Sequence, residues 1–159
     1  MVEFSTADLS DAHEDAEVLL PGLQSFGGRR QFNGRVTTLL AYEDNTKMRE
    51  ALSEGGEGRV LVVDAGGSVR RAMLGDRLAQ LGVDHGWEGV VIFGAIRDRA
   101  AVEQMDIGVL ALASCPRKTE KRGLGERDVD LLFLGAVIRP GMHIYADPDG
   151  VLLAHRPLL

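Results

Sequence analysis

Two uninterrupted apolar runs, Arg59–Asp64 (RVLVVD) and Gly89–Phe93 (GVVIF), flank a segment with leucines at positions 74, 78 and 81. This alternation constrains the fold more than any other feature of the chain. A strand with no polar residues in alternation has to be covered on both faces. Leucines at i, i+4 and i+7 share one face of a helix, so a helix is expected from about Gly75 to His85, with Gly86 as its left-handed cap. Arg97-Asp98 opens a second helix with Ala101, Val102 and Met105 facing inward, and Val109–Leu112 is a third strand. Strand–helix–strand–helix–strand order calls for parallel pairing with crossover helices.

The flanks read differently. Thr6–His13 is a short helix, and Gly34–Leu40 (GRVTTLL) is a β-branched strand. Asp44-Asn45 caps a short helix that buries Met48, Ala51 and Leu52. In the last third, Val129–Leu134, Val137–Ile138, His143–Ala146 and Val151–Leu153 are short strands. Turns at Pro140-Gly141 and Asp149-Gly150 separate them, which implies antiparallel hairpins. The expected architecture is α/β: a layered β/β/α domain with a partly parallel central sheet and C-terminal antiparallel strands. At 159 residues it is expected to be a single domain, residues 1–159.

Charge and cysteine content narrow the function classes. The net charge is −6, which gives no basic surplus for duplex nucleic acid. An anionic substrate therefore needs a local positive site. Cys115 is the single cysteine, which excludes an intramolecular disulfide and a cysteine-based zinc cluster. The first residues show no basic-then-apolar signal pattern, and no apolar run reaches the ~20 residues that span a bilayer. A cytoplasmic protein without membrane contact is expected.

The candidate chemistry sits where two strands give way to helices, at Gly75-Asp76-Arg77-Leu78 and at Arg97-Asp98. Free N–H groups at a helix start attract anions. An arginine holds a carboxylate, and an aspartate holds a divalent metal. Taken singly, Asp76 and Asp98 are ordinary helix-start residues and Arg97 is an ordinary salt-bridge arginine. Ligands of open α/β sheets bind at the carboxyl ends of parallel strands, so the two strand ends together favour a site.

Other candidates carry less. Asp64-Ala65-Gly66-Gly67 lacks the spacing of a nucleotide loop and reads as a tight turn beside the cleft. Cys115-Pro116-Arg117-Lys118-Thr119 reads as a solvated loop, with substrate electrostatics or a subunit contact as the alternative. His13, His85, His143 and His155 have no metal-ligand spacing. Glu126, Asp128 and Asp130 belong to a loop and a strand edge. Trp87 packs between a helix and the next strand.

Ordered blocks along nearly the whole chain resemble one family. They are Gly27-Gly28-Arg29 with Phe32-x-Gly34, Glu43-Asp44-Asn45, Gly66 to Ala72 (GGSVRRA), Gly75 to Ala79 (GDRLA) and Trp87-Glu88-Gly89. They continue with Gly94 to Asp98 (GAIRD), Asp106 to Val109 (DIGV), Pro116-Arg117-Lys118, Gly125-Glu126, Pro140-Gly141 and Tyr145 to Gly150 (YADPDG). The chain resembles the family of the regulator of ribonuclease E activity A, which includes the class II 4-hydroxy-4-methyl-2-oxoglutarate aldolases. The resemblance implies a swivelling β/β/α fold, a ring-shaped homotrimer and sites at subunit boundaries. The aldolases carry an aspartate, twenty intervening residues and Arg-Asp, a pattern that Asp76, Arg97 and Asp98 match.

By that resemblance, Gly75, Asp76, Arg77, Leu78 and Arg97 bind substrate, and Asp98 holds Mg²⁺ or Mn²⁺ largely through water. Longer aldolases lend an acidic residue from a C-terminal extension; this chain ends at Leu159, which leaves the proton donor unassigned. Some members carry an old menaquinone-pathway methyltransferase name, for which these residues offer no chemistry.

The implied activity is metal-dependent cleavage of 4-hydroxy-4-methyl-2-oxoglutarate to two pyruvates, with oxaloacetate decarboxylation through the same pyruvate enolate. Arg97 and the metal stabilise the enolate charge, and Asp76 acts in proton transfer through water. No Schiff-base lysine is required: Lys47, Lys118 and Lys121 are the only lysines, and none lies in a buried run. One rival is a metal-free regulator that binds ribonuclease E or an associated RNA helicase. Regulator-type members can lack the Arg-Asp pair, so its presence favours catalysis. A second rival is a scaffold with neither role.

Overall fold

The computed structural model describes residues 2–159. In chain order the elements are α1 (Thr6–Ala12), β1 (Glu17–Val18), β2 (Gln24–Ser25), β3 (Phe32–Leu40), α2 (Thr46–Leu52), β4 (Val60–Asp64), β5 (Ala72–Leu74) and α3 (Asp76–Asp84). They continue with β6 (Gly89–Ile96), α4 (Arg99–Val102), β7 (Gly108–Ser114), β8 (Glu126–Arg127), β9 (Leu131–Phe133), β10 (Ala136–Ile138), β11 (His143–Asp147) and β12 (Gly150–Ala154).

The main sheet runs β1-β12-β11-β3-β4-β6-β7-β2. β3, β4, β6 and β7 pair in parallel, as the alternating pattern requires. β3 is long enough to serve three partners, the shortest being β8, which pairs antiparallel at Leu39 and Leu40. Its second half pairs parallel with β4 from Val36 to Leu40, and its first half pairs antiparallel with β11 from Phe32 to Arg35. The parallel centre and the C-terminal antiparallel strands are thereby joined through one strand. β9 and β10 form a separate hairpin.

The apolar runs are covered on both faces. In β4, Leu61 and Val63 join a core with Met48 and Leu52 of α2 and Leu78 of α3. Val60 and Val62 point the other way, to Phe133, Ile138, Ile144 and Leu153 from the antiparallel strands. β6 splits likewise, with Val90 and Ile92 on the helix side and Val91 on the strand side. This is the β/β/α layering. α1 lies apart and packs Leu9 against Tyr145 and Leu152. No helix among the described residues is long and apolar enough to cross a membrane.

Several local expectations are revised. The sequence pattern ends the second parallel strand at Phe93, yet β6 continues to Ile96 because the three-residue β5 pairs with its last residues. β5, β1, β2 and β8 are too short to show a period. The helix after Arg97-Asp98 is a single turn, and Met105 lies beyond it. At α2 the helix-start residue Asn45 makes no side-chain cap. Asp44 caps the helix instead, since its Oδ1 accepts the Thr46 N–H (3.0 Å) and the Thr46 hydroxyl (2.7 Å).

Candidate active site

Strand register builds the site. β5 and β6 are parallel neighbours with Leu74 opposite Ile96, so the residues that follow, Gly75 and Arg97, emerge side by side. The Arg97 N–H donates to the Leu74 carbonyl at 2.8 Å. The approach is close. A Cβ on Gly75 would lie 2.7 Å from Asp98 Oδ2 and 3.4 Å from Arg97 Cγ and Nε. A methyl there would require the Asp98 carboxylate to move.

Asp98 turns the chain from β6 into α4 with φ 56° and ψ 39°, a left-handed conformation that short polar side chains tolerate. It makes no cap to its own helix. Its Oδ2 instead accepts the Asp76 N–H at 3.0 Å, at the start of α3. Gly75 is the helix-start residue of α3 and Asp76 is its first helical residue. The N–H groups of Arg77 and Leu78 have no acceptor among the described residues and stay available to an anion.

A third strand end contributes the opposite wall. After β7, the Cys115 N–H donates to the Ile96 carbonyl (2.8 Å), and the Ala72 N–H donates to the Arg117 carbonyl (2.6 Å). Lys118 is thereby held beside β5, and Arg97 Nη1 reaches the Pro116 carbonyl at 3.4 Å. Asp44 then fixes the rest of this loop. Its Oδ2 accepts the N–H groups of Arg122 (2.8 Å) and Leu124 (3.1 Å). Burial raises the Asp44 pKa, but the Thr46 hydroxyl and N–H and the N–H groups of Leu124 and Arg122 outweigh it and hold the carboxyl down at about 2.

These elements enclose a cavity of about 530 Å³. Every residue of the sequence-predicted site lines it: Gly75, Asp76, Arg77, Leu78, Arg97 and Asp98. Asn45, Arg49, Lys118 and Lys121 line it too, and the sequence pattern does not assign them to the site. Two adjacent cations in the Cys115–Thr119 segment are the available signal for Lys118. Lys121 and Arg49 give none, because a loop lysine and a helix-surface arginine have no period that marks a site. Gly66 and Gly67, with φ of 71° and 73°, form the expected turn, in which Asp64 Oδ1 accepts the Gly66 N–H at 2.8 Å. They do not line this cavity.

A second cavity, of about 330 Å³, adjoins Tyr42, Glu43, Arg70 and Arg71. Here the charges are matched. Arg70 holds Glu43 in a two-pronged pair at 2.9 and 2.7 Å. That pairing, with the Ser68 hydroxyl, brings the Glu43 carboxyl down to about 2.

The donor set of the larger cavity suits a hard divalent cation. Asp98 has one oxygen left after capping α3, and the Asp76 carboxylate makes no hydrogen bond among the described residues. Mg²⁺ binds through one or two carboxylates and keeps several waters. No group of three or more His, Cys, Asp or Glu side chains suited to a metal occurs among the described residues, so an all-protein cage is not the expected mode.

A layered β/β/α fold with a cation-lined cleft at the carboxyl ends of its parallel strands defines the class of this chain, an α/β protein. The chain belongs to the RraA-like family, whose model, described as Aldolase/RraA, matches residues 6–153. A relative from Laribacter hongkongensis, provisionally assigned as a 4-hydroxy-4-methyl-2-oxoglutarate aldolase, is 52% identical over 159 residues, covering 99% of this chain and 100% of its own. The solved structure of the RNA-processing inhibitor RraA from Thermus thermophilis is 48% identical with a TM-score of 0.96, over 98% of this chain and 95% of that one. A structure named S-adenosylmethionine: 2-dimethylmenaquinone methyltransferase, from Geobacillus kaustophilus, is 47% identical with a TM-score of 0.96, over 98% and 97%.

Proposed function

We propose that this protein is a divalent-metal-dependent lyase that cleaves 4-hydroxy-4-methyl-2-oxoglutarate to two pyruvates, with oxaloacetate decarboxylation as a second activity. The observation that carries this reading is the β5–β6 register, which sets Arg97, Asp98 and the N-terminus of α3 around one cationic cleft. Names given to relatives at about half identity point to the same aldolase chemistry.

Arg97 and the free N–H groups of Arg77 and Leu78 bind and orient the C1 carboxylate of the substrate. Asp76, exposed and not engaged by a partner, takes the C4 hydroxyl proton through water. The C3–C4 bond breaks, and its electron pair moves to the C2 oxygen as the enolate of one pyruvate. The C4 half leaves as the second pyruvate. Negative charge is greatest on the enolate, so Arg97 stabilises the transition state more than the ground state. Asp98 is the residue that would hold Mg²⁺ or Mn²⁺, largely through water, and the metal when bound would supply Lewis-acid polarisation of the keto oxygen. Protonation at C3 turns the enolate into pyruvate. Loss of CO₂ from oxaloacetate reaches the same enolate.

Pyruvate release from both substrates with Mg²⁺ or Mn²⁺, with and without a chelator, tests this for the parent, Arg97→Ala and Asp98→Ala. Turnover that needs the metal and both side chains is expected. Full activity in either variant would remove its assigned role. A homotrimer in the cytoplasm belongs to the same reading, and the mass in solution checks the assembly.

A second reading has one specific support, the 48% identity to a protein named an RNA-processing inhibitor. Under it the chain binds ribonuclease E or an RNA helicase without a metal. Pull-down of purified ribonuclease E in the presence of chelator, with no turnover of either oxo acid, would favour it.

A further inference from the structure

Glu43, Asp44 and Asn45 lie in the turn between β3 and α2, and each side chain ties down a different segment around the cleft. Glu43 takes the segment that feeds β5. Its Oε2 accepts the Ser68 hydroxyl (2.6 Å) and Arg70 Nε (2.9 Å), and its Oε1 accepts Arg70 Nη2 (2.7 Å). Asp44, 1% exposed, fastens the turn to α2 through the Thr46 N–H and hydroxyl. Asn45 takes β5 itself, since its Nδ2 donates to the Met73 carbonyl at 3.1 Å.

β5 needs such support. It has three residues, and β6 is the one strand it pairs with, through a register that shifts between Ala72 and Leu74. Met73 is its middle residue. It stands one position before Leu74, whose carbonyl accepts the Arg97 N–H, and two before Gly75. A displacement of β5 would pass directly to Gly75, Asp76 and Arg97.

Stability alone does not account for these residues. Asn45 leaves the capping of α2 to Asp44. Its Oδ1 is buried and has no hydrogen-bond partner among the described residues, which costs stability. Turning the amide over would set Oδ1 against the Met73 carbonyl, so the Nδ2 contact fixes the side chain. Glu43 holds a left-handed backbone, with φ 52°, that a long side chain adopts at a cost. Strain and an unpaired acceptor are kept in one turn, beside the cleft that Asn45 lines.

Resting on the lyase reading above, we propose that Asn45, with Glu43, is a positioning residue for the reaction. The pair braces β5, holds Gly75, Asp76 and Arg97 in register through it, and does not touch the substrate.

Hydrogen exchange and steady-state kinetics of Asn45→Ala test this together. The Arg97 N–H, bound to the Leu74 carbonyl, and the Asp76 N–H, bound to Asp98 Oδ2, should exchange at least ~10-fold faster than in the parent, while Val62 in β4 keeps its parental rate. kcat/KM should fall at least ~10-fold, by one common factor for 4-hydroxy-4-methyl-2-oxoglutarate and oxaloacetate, because the two share the reacting half. Glu43→Ala, which leaves Asn45 in place and frees Ser68 and Arg70, should move both readouts in the same direction. Parental exchange in both variants would overturn the brace, and faster exchange with parental turnover would overturn its part in the reaction. A loss confined to one substrate would show direct contact by Asn45 and overturn the proposal as well. Should the parent turn over neither substrate, the lyase reading falls, and the exchange rates alone still decide whether Asn45 holds β5.

Discussion

The carboxylate of Asp98 closes the N-terminus of a helix to which it does not belong: its Oδ2 accepts the Asp76 N–H at 3.0 Å. One side chain therefore ties the end of β6 to the start of α3. Its second oxygen is left for another partner, and the neighbouring N–H groups of Arg77 and Leu78 are left for an anion. The left-handed backbone at Asp98 directs the side chain back across the strand ends rather than onto α4. A conformation that few residues adopt readily is held at the candidate site, as strained positions at functional sites often are.

Substitution at Asp98 separates its two roles. Asp98→Ala removes the cap and should lower stability by about 1 kcal/mol. Asp98→Asn keeps an oxygen for the Asp76 N–H and should stay within ~0.5 kcal/mol of the parent. Both should lose Mg²⁺ affinity and turnover. Urea unfolding beside Mg²⁺ titration checks the pair, and unaltered Mg²⁺ binding by the asparagine variant would remove Asp98 from the metal site.

Gly75→Ala should be severe, although its own backbone is unstrained. The added methyl would sit 2.7 Å from Asp98 Oδ2, so the carboxylate or the strand end must shift. Overpacking of this kind costs about 1–3 kcal/mol, and turnover should fall at least ~10-fold as Asp98 and Arg97 move. Gly55→Ala, where a Cβ meets nothing within 4 Å, is the matched control. Comparable kcat in the two variants would show that close approach at Gly75 does not matter.

The parallel centre was legible because its strands are buried on both faces and lose polar alternation altogether. Arg97 and Asp98 were legible because they follow such a strand directly. What connects them was not. β5 has three residues, too few for any period, yet it supplies the register that brings Gly75 beside Arg97. Asp98 caps a helix that starts 22 residues earlier, a contact with no local signature. Lys121 and Arg49 reach the cleft because a buried Asp44 holds a distant loop by its N–H groups. Such tertiary hydrogen bonds leave no trace in spacing, whereas the Asp44-Asn45 pair did mark the start of α2.

Arg97→Lys tests whether the guanidinium matters for its shape as well as its charge. Lysine keeps one positive charge but loses the planar fork that grips a carboxylate in two places. With Asp98 intact, Mg²⁺ affinity should be unchanged. Loss of one preorganised donor set at a developing anion is worth roughly 100-fold in kcat, so Arg97→Lys should fall by about that factor. Steady-state kinetics at saturating Mg²⁺ read it directly. A lysine variant with parental kcat would reduce Arg97 to a general source of charge.

Asp44 should make both stability and the far wall of the cleft sensitive to acid. Its folded pKa is about 2, below the ordinary 3.8, because the opposing N–H and hydroxyl donors outweigh burial. Between those values the unfolded chain binds the proton and the folded chain does not. Stability is therefore fully present above about pH 4 and is lost as pH falls towards 2. A shift of this size in a buried group is worth on the order of 2 kcal/mol. Asp44→Asn places an amide where a carboxylate meets the N–H groups of Thr46, Arg122 and Leu124, and should cost about 2 kcal/mol at neutral pH. The gap between parent and variant should narrow as pH is lowered to about 3, because the parent loses the linked stability and the variant does not. Urea unfolding across this range measures the gap. A gap that stays constant with pH would show that Asp44 does not carry the linkage.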